Sequence, residues 1–373
     1  MAETIRRALA AAGIDSQAGP LKEVGATIEK ALVSAGLRKP AATAWSQPTI
    51  DVEAREVCKT RPVREPATPA RPAPGQAGEF STRSFSNQAG NRSYKLYVPA
   101  GYSARAKQPV PLVVMLHGCT QSPDDFATGT QMNALADQHG FLVVYPAQAA
   151  NANGSRCWNW FRPEDQARDS GEPSLIAGIT REVAATHSVD PRRIYVAGLS
   201  AGASMAVILG ATYPDLYAAV GAHSGLPYGA AHDMGSAFAA MQSGSSSAGL
   251  HAWPHRATSE RNTPAMRVPT IVFHGDRDQT VAVRNGAQIV EQAAAGARLK
   301  VSVEEGGSPD RRYSRTLHTD RSQRTIVEHW VVSGAGHTWS GGSPRGSYTD
   351  ASGPDASAEM VRFFLAQQRA GTA

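Results

Sequence analysis

The sequence predicts an α/β fold, a largely parallel sheet with helices on both faces. Three observations carry this: strand-type and helix-type segments alternate from about residue 80 to 368, several strand-type runs are apolar throughout, and a Gly-Leu-Ser-Ala-Gly turn at 198–202 joins one of them to an apolar helix-type run. Apolar strands buried on both faces belong to parallel sheets, where crossover helices cover the faces.

The elements follow in order. A strand pair is expected at 79–85 and 92–98, then the apolar run 111–116, a helix around 131–139 and a strand at 142–145. An aromatic loop with Cys157, Trp158, Trp160 and Phe161 precedes a helix at 174–186. Residues 193–197, Arg-Ile-Tyr-Val-Ala, form the strand before the turn, and Ala203, Met205, Ala206, Val207 and Leu209 the helix after it. Strands at 216–222, 270–274 and 325–332 and helices at 283–294 and 355–368 complete the alternation. The stretch 227–266 is rich in glycine, serine and histidine, and reads as an insertion and candidate lid.

Upstream, residues 1–40 carry two short helix-type patterns and form a helical N-terminal segment. Residues 41–79 are rich in proline, alanine and arginine and read as an extended linker, so the main domain is expected over 80–373.

Composition bounds the function. The chain has 373 residues, 41% of them hydrophobic, enough for one large core with appendages. Lys and Arg exceed Asp and Glu by 37 to 32, and several of the excess cations sit in the linker, which argues against a nucleic-acid groove. No apolar run approaches the ~18 residues of a membrane span. The N-terminus has no secretory pattern, which predicts a cytoplasmic protein unless a signal has been removed. The three cysteines, Cys58, Cys119 and Cys157, make neither a disulfide framework nor a zinc site.

The turn around Ser200 reads as a nucleophile elbow, in which small neighbours let strand and helix approach and hold the serine in a strained conformation. A serine hydroxyl is a weak nucleophile until a base takes its proton, and the base needs an orienting carboxylate. In an α/β-hydrolase fold these partners follow the serine on later loops, carboxylate first. The loop after 270–274 offers Asp278, with Asp276 as the alternative, since composition does not separate them. The loop after 325–332 offers His337 between glycines and Thr338. Backbone N–H groups should bind the oxyanion, one from Ala201 and one from the His117-Gly118-Cys119 loop, where Cys119 is the candidate donor. His117 itself reads equally as a site residue or a buried structural histidine. No metal or organic cofactor is needed for this chemistry.

With these residues together, the chain resembles the polyhydroxybutyrate depolymerase family of esterases, within the α/β hydrolases. The resemblance rests on LHGCTQ at 116–121, CWNWF at 157–161, GLSAG at 198–202, HGDRDQTV at 274–281 and GAGHTWSGG at 334–342. It implies Asp278 rather than Asp276 as the acid and the Cys119 N–H as an oxyanion donor. It implies a polyester or polymer-granule substrate, with feruloyl and acetylxylan esters as the alternative, because related esterases share the pattern. For such a substrate Trp158, Trp160 and Trp339 would offer flat apolar contacts. The matched cysteine motifs suggest a Cys119–Cys157 disulfide. Many secreted relatives carry signal peptides and polymer-binding domains; their lack here implies an intracellular, granule-associated depolymerase or an oligomer hydrolase. A granule-binding protein acting through its N-terminal helices is the non-enzymatic rival.

Overall fold

The six central strands run parallel because each is apolar enough to be covered from both sides. In the computed structural model, residues 78–103, 108–244 and 268–369 are described. The expected N-terminal helices, nearly all of the linker, and positions 245–266 of the expected insertion lie outside them. Ten strands form one sheet: β1 (Glu79–Asn87), β2 (Gly90–Val98), β3 (Val110–Leu116), β4 (Leu142–Pro146), β5 (Val189–Leu199), β6 (Ala219–His223), β7 (Thr270–Gly275), β8 (Lys300–Ser308), β9 (Arg311–Thr319) and β10 (Thr325–Val332). Their spatial order is β1-β2-β4-β3-β5-β6-β7-β10-β9-β8. From β4 to β10 every neighbouring pair is parallel, while β1, β2, β9 and β8 extend the two edges as antiparallel strands. This is the α/β-hydrolase arrangement.

The helices are α1 (Pro123–Thr130), α2 (Met132–His139), α3 (Gly171–Thr186), α4 (Ala201–Thr212), α5 (Met234–Ser243), α6 (Arg284–Ala294) and α7 (Ala356–Leu365). Strand alternation divides the core in two. Leu112, Val114 and Leu116 of β3 pack on the face covered by α3, α4 and α6, with Ile176, Met205 and Ile289. Val113 and Met115 point the other way, to Phe126 of α1, Met132 of α2 and Phe363 and Phe364 of α7. Helix α4 lies deepest, with residues 201–210 all buried, as a helix apolar on every side requires. Among the described residues, no helix is long and apolar enough to cross a membrane.

Several elements differ from the sequence expectation. Helix α1 is short and was not expected; Pro123 starts it and the Ser122 hydroxyl caps it by accepting the Asp125 N–H at 3.2 Å. The strand expected at 216–222 begins only at Ala219, because Leu216 and Tyr217 turn back to donate to the Tyr213 carbonyl at the end of α4. The hairpin β8–β9 is largely polar and leaves Val301 and Val303 exposed, so no apolar alternation announced it. Part of the expected insertion is helical: Asp233 and Ser236 form a capping box at the start of α5.

The turn from β5 to α4 is where packing is tightest. A Cβ added to Gly202 would lie 2.1 Å from the Leu116 carbonyl oxygen, and one on Gly198 would lie 2.4 Å from the Gly202 carbonyl carbon. Only bare backbone lets the elbow rest on the end of β3. Gly202→Ala should therefore lower stability by about 1–3 kcal/mol or more in chemical denaturation, and a variant within about 0.5 kcal/mol of the parent would contradict this packing account.

Candidate active site

Ser200 sits at φ 57°, ψ −120°, in the left-handed half of conformational space that non-glycine residues rarely occupy. The strain is held by neighbours: the Ser200 N–H donates to the His223 carbonyl at 2.9 Å, and the Ser200 carbonyl accepts the Ser204 N–H at 3.0 Å. The half-buried serine thus stands between the carboxyl end of β5 and the start of α4. The loops bearing Cys119, Asp278 and His337 leave the carboxyl ends of β3, β7 and β10. In register, Leu116 of β3 lies beside Gly198, Leu199 beside His223, His223 beside Phe273, and Trp330 beside Phe273. Parallel strands therefore deliver all four loops to one edge of the sheet, where such folds bind ligands.

Asp278 and His337 are in direct contact. The Asp278 side chain is fully buried, and its Oδ1 accepts the Thr280 and Val281 N–H groups, both at 2.9 Å. Its Oδ2 accepts the His337 Nδ1–H at 2.7 Å, with His274 Nε2 3.4 Å away. Burial pushes the Asp278 carboxyl up, but hydrogen bonds from His274 and His337, the His337 charge and the Val281 N–H together outweigh it and hold the group well below the usual carboxylate range. An ionised carboxylate only accepts, so the His337 proton sits on Nδ1 and leaves Nε2 free to take a proton. Asp276 does a different job: its Oδ1 accepts the Gly334 N–H at 2.7 Å and anchors the histidine loop. The choice between the two aspartates, open on composition, is made by which one His337 reaches.

The peptide before Cys119 is oriented from behind. The Gln148 N–H donates to His117 Nε2 at 3.1 Å, and an amide can only donate, so the His117 proton is on Nδ1 and donates to the Gly118 carbonyl at 2.8 Å. Burial pushes the His117 pKa down to about 4, which keeps the ring neutral for this double role. In a trans peptide the N–H opposes the C=O, so pinning the Gly118 oxygen fixes the direction of the Cys119 N–H. Gln121 clamps the same loop, its Oε1 accepting the Gly118 N–H at 2.9 Å and its Nε2 donating to Asp125 Oδ2 at 3.0 Å. Among the described residues, neither the Cys119 nor the Ala201 N–H meets a protein acceptor. Two such donors, a serine and an Asp–His pair comprise the parts of acyl transfer.

A disulfide joins Cys119 to Cys157 across a sequence separation of 38. Closing that loop restricts the unfolded chain by about 4 kcal/mol in the chain-entropy account. It ties the Cys119 loop to the aromatic loop.

The tryptophans require a correction. Trp158 is 0% exposed and donates its Nε1–H to the His117 carbonyl at 3.1 Å; Trp339 is 1% exposed and donates to Ser357 Oγ at 3.0 Å. Trp160 is buried edge-on to Phe161. With rings enclosed and the Trp158 and Trp339 N–H groups satisfied internally, they build the walls behind the loops and offer a substrate no open face.

Sequence reasoning also missed the buried polar cluster that holds the aromatic loop. Glu172, at the start of α3, accepts from the Asn159 backbone at 2.7 Å, the Asn159 amide at 2.8 Å, the Gln148 side chain and Arg92. Of these residues only Asn159 falls within a quoted motif, CWNWF at 157–161; Arg92, Gln148 and Glu172 meet it only through the fold. Beside them Asp165 Oδ1 accepts the Glu172 N–H at 2.7 Å, and burial and then the Glu172 charge push the Asp165 pKa up to about 7.

The family model described as "Esterase PHB depolymerase" matches residues 92–315. The chain is 38% identical over 261 residues to "Poly(3-hydroxyalkanoate) depolymerase C" of Paucimonas lemoignei, covering 68% of this chain and 60% of that protein. It is 28% identical over 258 residues to "Feruloyl esterase B" of Neurospora crassa, covering 68% of this chain and 85% of that one. Among solved structures, "Acetyl xylan esterase from Aspergillus awamori" aligns with a TM-score of 0.58 at 20% identity, over 77% of this chain and 99% of that one, a likeness of fold.

Two predictions follow from these contacts. Denatured, unreduced protein should titrate one thiol of the three cysteines, rising to three on reduction; three thiols before reduction would exclude the disulfide. A raised carboxyl pKa means that the stability tied to protonated Asp165 is complete below about 4 and is lost as pH rises through about 7. Asp165→Asn should accordingly lose less melting temperature than the parent between about pH 5 and pH 8, and an identical loss in both proteins would refute this.

Proposed function

Because this chain belongs to the polyhydroxybutyrate depolymerase family of esterases, we propose that it is a serine esterase that hydrolyses 3-hydroxybutyrate ester bonds, in polymer or oligomer, through an acyl-enzyme. The observation that carries the reading is the strained Ser200 at the elbow with the bonded Asp278–His337 pair on neighbouring loops.

In this reading His337 Nε2 takes the Ser200 proton as the oxygen attacks the ester carbonyl. The carbonyl oxygen becomes an oxyanion held by the Cys119 and Ala201 N–H groups. Collapse expels the alcohol, which takes its proton from His337, and leaves an acyl group on Ser200. Water, deprotonated by His337, then attacks the acyl carbonyl and regenerates the serine. Asp278 holds the tautomer and stabilises the imidazolium throughout.

The polyester reading is favoured by the 38% identity to the Paucimonas lemoignei depolymerase, of which the chain spans 60%. The feruloyl or acetylxylan alternative is favoured by the fuller coverage of the Neurospora crassa esterase. With the tryptophans enclosed, the exposed Met234 and Phe238, one turn apart on α5, are the better candidates to meet an apolar polymer or granule surface. The Cys119–Cys157 disulfide supports an oxidising compartment over the cytoplasmic setting read from the sequence.

Ser200→Ala should lower kcat by about 10⁵-fold with its melting temperature kept, and a variant of near-normal turnover would overturn the assignment. Rates compared on polyhydroxybutyrate granules, hydroxybutyrate oligomers and methyl ferulate should rank the oligomer or polymer first; preference for the ferulate would replace the polyester reading with its alternative.

A further inference from the structure

His223, the last residue of β6, is attached to both halves of the site. Its carbonyl accepts the Ser200 N–H at 2.9 Å, so its backbone supports the strained elbow. Its ring is 1% exposed and lies between Phe273, with centroids 5.7 Å apart and planes 17° apart, and Trp339, at 5.2 Å and 28°. Ring Nε2 accepts the Ser340 N–H at 3.1 Å. Ser340 is three residues beyond His337 on the same loop.

The protonation state follows from the donor. A backbone amide cannot accept, so Nε2 must carry the lone pair, and the proton belongs on Nδ1, which faces Ser224 Oγ at 3.3 Å. Burial, with His274 and His337 close by, pushes the His223 pKa down to about 3, against an opposing pull from Asp278. The ring is therefore neutral wherever the protein is folded and working, and the latch to Ser340 stays closed. The β7 side contributes Phe273 and His274, and the β10 loop contributes Trp339 and His337, so the ring is enclosed by the elements that carry the acid and the base.

We propose that His223 is a positioning residue that sets the placement of the His337 imidazole relative to the Ser200 hydroxyl, its backbone holding one and its ring the loop of the other. The proposal rests on Ser200 and His337 being nucleophile and base. A histidine suits the place because it combines a flat ring that stacks with an acceptor at the far edge of that ring. Phenylalanine keeps the stack and loses the acceptor; glutamine keeps an acceptor at similar reach and loses the stack; leucine loses both.

The experiment uses the full chain with a soluble short-chain p-nitrophenyl ester and a fluorophosphonate probe. Labelling of the parent and its loss in Ser200→Ala test the underlying reading first; an unlabelled parent sinks that reading and this proposal with it. Given labelling, misplacement of reacting groups by a fraction of an ångström to 1 Å predicts that His223→Phe lowers kcat and the labelling rate by about 30- to 100-fold, with KM within about 2-fold. His223→Gln should recover about 10-fold or more over His223→Leu, although both lose the stack. That comparison stands even where the phenylalanine variant fails to fold. Equal kcat in the Gln and Leu variants, or a Phe variant with kcat within about 3-fold of the parent, overturns the proposal.

Discussion

The close approach of the Ser200 turn to the end of β3 is the constraint on which the site depends. Gly202 lies so near the Leu116 carbonyl that no side chain fits between them, and Gly198 faces Gly202 across the turn. Beside this contact Ser200 takes its positive-φ conformation, and the Cys119 loop, which continues from Leu116, lies against the elbow. Ser200 and the Cys119 and Ala201 N–H groups are thus placed by backbone against backbone, the least deformable kind of packing.

Around that contact the loops are held by buried polar groups, each in one protonation state for a reason the structure makes plain. His117 is neutral because burial disfavours its charge, and only the neutral Nδ1–H form can both accept from Gln148 and donate to Gly118. His223 is neutral for the same reason and accepts from Ser340. Asp278 is ionised although burial opposes it, because donors converge on it from its own loop, from His274 and from His337. The same interior that costs a lone charge several kcal/mol strengthens hydrogen bonds to a satisfied one.

The second wall of the site is built by the disulfide and the aromatic loop. Cys119 and Cys157 join two segments that also share the Trp158 to His117 hydrogen bond, and Glu172 gathers Asn159, Gln148 and Arg92 beneath them. Gln148 belongs to both networks, since its backbone N–H donates to His117 while its side chain donates to Glu172. The Cys119 loop is therefore continuous, through buried hydrogen bonds, with the start of α3.

Local chemistry was legible in the sequence wherever it is carried by consecutive residues. Apolar runs such as 111–116 and 270–274 announced strands buried on both sides, the Gly-Leu-Ser-Ala-Gly turn announced the elbow, and glycines around His337 announced a flexible histidine loop. Elements with little apolar surface stayed hidden, as with the polar β8–β9 hairpin and the short α1. Residue types and spacing alone also left open the choices that depend on distance across the fold. Composition left Asp276 and Asp278 equal and the family resemblance implied Asp278; the arrival of His337 from 59 residues away gives the physical reason, one aspartate bonding the ring and the other anchoring its loop. The polyester resemblance together with their aromatic character cast Trp158, Trp160 and Trp339 as contacts for substrate, whereas the fold encloses all three, with the Trp158 and Trp339 N–H groups satisfied from within. The sequence by itself determined the α/β order and the residue types of the candidate site. The tertiary structure alone decided which of them meet, because burial and hydrogen-bond partners arise only where segments distant in the chain are brought together.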